Sequence, residues 1–125
     1  MNSLNRQVAG THYLNITYQP VQLTFDVNGT CTFCKVAKYI SREKDDMVEQ
    51  INKAIHCVEL EKDLLKPHTY YPKGRSGTWA ATKCIENFSN QFVQREIFNI
   101  ILMSMMVQNY ELATQTLLDL RSTYE

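Results

Sequence analysis

Four side chains between positions 35 and 42 have the chemistry to hold an anion. Lys35, Lys38 and Arg42 are cations within two helical turns, and Tyr39 adds a ring and a hydroxyl. At about 100° per residue, these four fall on one side of a helix. Phe33, Val36, Ala37 and Ile40 fall on the other side. Three like charges on one face repel each other, and an anion seated among them relieves that repulsion. A nucleotide asks for this combination, with cations for its phosphate and an aromatic plane for its base. The competing reading is a solvated charged face with Tyr39 at its edge.

A second cluster lies in the segment 66–77, which holds two prolines, two glycines, two tyrosines and several basic groups. This is loop composition. Lys73, Arg75 and the amides around Gly74 and Gly77 can form an anion nest ahead of a helix start. Tyr70, Tyr71 and Trp79 are available for stacking. The loop is not a Walker A motif, which occurs nowhere in the chain. An ordinary surface loop is the alternative.

The cysteines are Cys31, Cys34, Cys57 and Cys84. Cys31-x-x-Cys34 offers half of a zinc site, but the second pair, His56-Cys57, is adjacent rather than spaced. Small packed thiols are the better reading, and no metal is expected. His12, His56 and His68 can each serve as an acid or base, although a lone histidine is more often a hydrogen-bonded structural group. The chain has no nucleophile elbow, no HExxH and no dinucleotide fingerprint.

The elements that must position these groups are helices. Residues 1–11 read as a polar arm, and His12–Gln19 as extended chain ending at Pro20. Pro20 can open a short helix, Val21–Val27, before the turn Asn28-Gly29. Thr30 or Thr32 can cap the basic helix, Phe33–Arg42. Asp45 or Asp46 can cap the next, which runs to about Leu64. Its buried face would be Met47, Val48, Ile51, Ala54, Ile55 and Val58, with Cys57 off that face. Glu49 and Lys53 form a favourable i,i+4 pair. The short link between these two helices implies an antiparallel hairpin. Further helices are expected around Trp79–Phe88, Asn90–Val107 and Tyr110–Arg121, the last burying Leu112, Ala113, Leu117 and Leu120. The fold class is therefore mainly α: one helical domain, 1–125, with an N-terminal extended segment, a central helical hairpin and two or three C-terminal helices.

Composition bounds the function. The 125 residues carry thirteen basic and thirteen acidic side chains, and 44% of the residues are apolar. That suits one folded domain. Zero net charge argues against a nucleic-acid polymer or a membrane surface as partner. The start of the chain lacks the apolar core of a signal peptide, so the cysteines are read as reduced thiols. The stretch Ile97–Val107 has nine apolar residues in eleven. It is too short to span a bilayer, so it reads as a buried helix or a contact between copies in a homo-oligomer.

Several of these positions recur in an order that resembles a family of small, mostly bacteriophage proteins. The matching residues are His12-Tyr13, Gln19-Pro20, Ala37-Lys38-Tyr39-Ile40-Ser41-Arg42 and Lys53-Ala54. The family shows H-Y, then Q-P, then G-N-A-x-K-Y-I-x-R, then D-L-x-K-A-x-x-Y. The resemblance covers about residues 12–60. That family was long uncharacterised and includes a podovirus nucleotide kinase that lacks a Walker motif. The resemblance implies a nucleotide site built from His12, Tyr13, Gln19, Lys38, Tyr39, Arg42 and Lys53.

Three departures bear on chemistry. The family's Gly-Asn is Cys34-Lys35 here, its Asp is Gln50, and its last Tyr is Cys57. A lysine is gained, and a carboxylate that could hold metal or act as base is lost. Capture is then favoured over catalysis. The expectation is a phage protein, acting in the cytoplasm of the infected bacterial host, that sequesters a nucleotide immune signal of the cyclic-nucleotide or ADP-ribose type. It would need no cofactor. One alternative is a Walker-less nucleoside monophosphate kinase, which would need Mg²⁺, or a hydrolase of a nucleotide signal. Another is a protein-interaction module that uses Ile97–Val107.

Overall fold

The computed structural model of the chain describes residues 19–41, 46–64, 68–71 and 95–125. Among the described residues there are five helices and no strand, as the periodicity predicts. They are α1 (Pro20–Asp26), α2 (Cys31–Ser41), α3 (Met47–Leu64), α4 (Arg95–Met106) and α5 (Tyr110–Ser122). The arm 1–11, the extended segment before Gln19, most of the loop 66–77 and the helix expected at Trp79–Phe88 lie outside the described residues. So do the first residues of the helix expected from Asn90.

Four of the five helices start at a cap that the described residues show. Gln19 is extended, Pro20 occupies the first turn of α1, and the Gln19 amide donates to Gln22 Oε1 at 2.7 Å. Thr30, rather than Thr32, caps α2 by accepting from the Phe33 amide at 3.0 Å. Asp46 caps α3 through the Glu49 amide at 2.9 Å. Asn109 caps α5 through the Leu112 amide at 3.2 Å. The turns between helices use the left-handed region at Asn28 (φ 53°) and Gln108 (φ 60°).

Helix α2 runs antiparallel to α3, because Thr30 and Thr32 at its start reach Glu61 near the end of α3. Phe33, Val36, Ala37 and Ile40 are fully buried, as the helical step predicts. Ile51, Ala54 and Val58 meet them from α3. Helix α5 packs on α3 and α4 with Ala113, Leu117 and Leu120, while α4 contributes Phe98, Ile101, Leu102 and Met105. Arg121 of α5 ties the outer edge to α3 by donating to Asn52 Oδ1 at 2.7 Å.

Three burial expectations change. Cys57 is buried, because it sits one step from Val58 on a face wide enough to include it. Val48 is only half-buried. Leu112 is 46% exposed. No helix among the described residues is long and apolar enough to cross a membrane.

Candidate functional site

Helices α1 and α2 meet at the turn Val27–Thr30, and their outer faces enclose an open groove of about 490 Å³. That volume lies within the range of small-molecule sites. Gly29 makes the close approach possible. A Cβ there would meet Phe33 Cδ1 at 2.9 Å and the Thr24 methyl at 3.1 Å. The Gly29 amide also donates to the Thr24 carbonyl at 2.7 Å, which folds α2 back along α1.

One wall of the groove comes from α1. Val21 and Phe25 are i,i+4 neighbours on the side opposite the buried Leu23, and Phe25 is 68% exposed. The facing wall is α2, with Cys31, Cys34, Lys35 and Lys38. Cys34 follows Cys31 by three residues and Lys38 by a further four, so they share a helical stripe. Thr24, Asn28, Gly29 and Thr30 form the floor. Neither Lys35 nor Lys38 makes an ion pair with a described residue. Two lysines and an exposed aromatic residue thus line one concave surface.

The floor is held from behind by the segment 68–71. Asn28 Nδ2 donates to the Thr69 carbonyl at 2.8 Å, and the Tyr71 amide donates to the Val27 carbonyl at 3.0 Å. His68 Nε2 donates to the Asn28 carbonyl at 2.8 Å, which fixes its tautomer and gives this histidine a structural task. Gln108 donates to the His68 carbonyl at 3.0 Å, extending the tie to the α4–α5 turn.

Beneath that tie lies Glu61, a buried acid that accepts from four hydroxyls. Thr30 and Thr32 donate to Oε1, the latter at 2.6 Å. Tyr70 and Tyr110 donate to Oε2 at 2.8 and 2.9 Å. A carboxylate offers about four acceptor sites, so this one is saturated. Its four donors come from the cap of α2, the first turn of α2, the segment 68–71 and the start of α5. Burial, with Glu61 adding to it, pushes the Tyr70 and Tyr110 phenols well above the usual range. Such a saturated carboxylate is a structural node rather than a base open to substrate.

The residues expected to form a site divide accordingly. Lys35 and Lys38 lie together in the groove. Tyr39 turns to the other flank of α2, where Lys53 Nζ sits 5.9 Å from its ring centre. Lys53 also pairs with Glu49 at 3.7 Å, as its spacing predicts. Gln19 serves as the cap of α1. Tyr70 is committed to the core, its ring 5.5 Å from that of Phe33. Tyr71 is 47% exposed. Gln50 and Cys57, two of the departures from the family pattern, are both buried in α3. His12, Tyr13, Arg42, Lys73, Arg75 and Trp79 lie outside the described residues.

The thiols are not uniformly packed, contrary to the reading from the sequence. Cys31 is exposed, Cys34 half-buried and Cys57 buried. Burial pushes the Cys57 thiol up, an effect that Lys35 partly offsets and Cys31 reinforces. No group of three His, Cys, Asp or Glu among the described residues is placed to hold a metal ion.

Sequence reasoning missed Phe25 and Val21 as a wall, and Glu61 as a node. Both carried a signal. Val21 and Phe25 fall off the Leu23–Val27 stripe of a short helix, and Glu61 falls on the Ile51–Ala54–Val58 stripe of a long one. Comparison of the chain with protein-family models, with curated proteins and with solved structures gives no match in any of the three.

Proposed function

We propose that this protein captures a small phosphate-bearing ligand of the nucleotide class in the groove between α1 and α2. The observation that carries this reading is that Lys35, Lys38 and the exposed Phe25 line the same groove. Ammonium groups with no carboxylate partner among the described residues suit phosphate oxygens. An exposed phenylalanine on a concave surface suits the flat face of a base. The ligand's phosphate would bridge the two lysines while its base lies against Phe25 and Val21.

Sequestration of a nucleotide immune signal, in a phage protein acting inside its host, is the biological form of this reading that the resemblance favours. Capture depends on slow release. Lys35 stands where the family pattern has Asn, and it adds a second cation to the groove. This supports holding an anion more than transforming it.

The test is release from the folded protein. The purified chain is incubated with ATP, ADP, AMP, cyclic AMP, cyclic dinucleotides and ADP-ribose, desalted, denatured and analysed by mass spectrometry. Intact nucleotide recovered from the wild type, and lost from Lys35→Ala/Lys38→Ala, is the expected result. A chemically altered nucleotide would make the protein an enzyme, and no retained nucleotide would end the nucleotide reading.

A further inference from the structure

We infer that Cys31 and Cys34 form a reversible redox pair, closing to a disulfide by exchange with small-molecule disulfides of the glutathione class. Three observations lead there. The two cysteines are i,i+3 on the first turn of α2, and the helical bond from the Cys34 amide to the Thr30 carbonyl at 3.1 Å shows that turn formed. Both cysteines line the open groove, which gives the disulfide of a tripeptide thiol a path to them. Their exposure is graded, with Cys31 exposed and Cys34 half-buried.

Side chains three apart on a helix have Cβ atoms about 5–6 Å apart. A disulfide needs about 3.5–4.5 Å. The Cα atoms of residues three apart on an α-helix lie about 5 Å apart, inside the roughly 4.4–6.8 Å that a disulfide spans. The Cβ gap closes if Cys31, the first residue of α2, leaves the helical conformation as helix ends do when they fray. Cys57 is the competing partner. It is buried, and burial holds its thiol in the protonated, unreactive form.

The exchange runs in two steps. The Cys31 thiolate attacks one sulfur of the small disulfide, forming a mixed disulfide and releasing one thiol. The Cys34 thiolate then attacks the Cys31 sulfur, forming the Cys31–Cys34 bond and releasing the second thiol. Two electrons pass from the cysteine pair to the small disulfide, and the two cysteine protons leave on the released thiols. Because closure distorts the first turn of α2, the bond formed is readily reduced again by excess thiol. None of this chemistry requires a ligand in the groove, so its test is independent of the nucleotide reading.

The test is peptide mapping of the full chain after treatment with oxidised glutathione. Trypsin cuts after Arg6 and Lys35, so one peptide carries Cys31 and Cys34 and no other cysteine. The expected product is that peptide lighter by two hydrogens, restored by dithiothreitol and unchanged in Cys57→Ser. In Cys34→Ser the reaction should stop at glutathione bound to Cys31. Crosslinks from Cys31 to Cys57 or Cys84 would overturn the proposal. So would separate glutathione adducts on both thiols of the wild type, or a peptide that stays reduced.

Discussion

Tyr70 donates its phenol to Oε2 of Glu61 at 2.8 Å, and through that bond the segment 68–71 is fastened to the end of α3. Tyr110 donates to the same oxygen at 2.9 Å, while Thr30 and Thr32 take the other. The carboxylate therefore joins the floor of the groove to the rest of the helical core. Shape at the groove depends on a polar node it does not expose.

Glu61→Gln keeps the volume and removes half of the acceptors. An amide presents one oxygen and an NH₂ that must face hydroxyls already oriented to donate. A loss of about 2–4 kcal/mol in unfolding free energy is expected, with Tyr110→Phe costing about 1 kcal/mol. Urea unfolding followed by circular dichroism checks both. A Glu61→Gln variant as stable as wild type would remove Glu61 from its role as node.

The two phenols give a pH signature. Their folded-state values lie above the unfolded value of about 10. A raised value contributes stability that is complete below the unfolded pKa and is lost as pH rises through the folded one. Stability should therefore fall on the alkaline side, above about pH 10. Part of the tyrosinate absorbance should appear only with unfolding. In Tyr70→Phe/Tyr110→Phe that late component should vanish, and its persistence would contradict the assignment.

How far the sequence reveals this arrangement depends on the range of the interactions involved. The apolar step on α2 identifies Phe33, Val36, Ala37 and Ile40 as core, and all four are buried, because helical periodicity is local. Asp46 and Thr30 are readable as caps for the same reason. The described residues of the basic-aromatic face divide between two flanks of α2. Lys38 and Tyr39 are one step of about 100° apart, and α1 and α3 dock on different flanks, so one residue faces the groove and the other Lys53. Glu61 was invisible as a node because its four partners lie 9 to 49 residues away. No local pattern reports on contacts of that range.

Gly29→Ala tests the close approach of α1 and α2. The added methyl would meet the fully buried Phe33 ring, which has no space to yield. A loss of about 1–3 kcal/mol is expected from overpacking, together with a change in the groove. Thermal unfolding reads the first, and a nucleotide that binds the wild type reads the second. An unchanged melting temperature would mean that the helices are less tightly joined than described.

Thiol reactivity should follow exposure and protonation. Maleimide should label Cys31 first, Cys34 more slowly, and Cys57 only on unfolding. Timed labelling with peptide mapping measures the order. Early labelling of Cys57 would contradict its burial.

Phe25→Ala separates ring stacking from charge. Phe25 is 68% exposed, so its removal should leave stability within about 0.5 kcal/mol of wild type. It should weaken nucleotide binding by about 1–3 kcal/mol while leaving weak binding of inorganic phosphate unchanged. Equal nucleotide affinity in this variant would remove Phe25 from the site.

The central claim is that Lys35 and Lys38 hold the phosphate of a nucleotide, and isothermal titration calorimetry tests it most directly. Wild type and Lys35→Ala/Lys38→Ala are titrated with the nucleotides named above and with their unphosphorylated nucleosides. The account predicts that at least one nucleotide binds the wild type and its nucleoside binds far more weakly. It also predicts a loss of about tenfold or more in the double variant, with both proteins melting at the same temperature. Equal affinity of the two proteins for that nucleotide, or no binding to either, would contradict it.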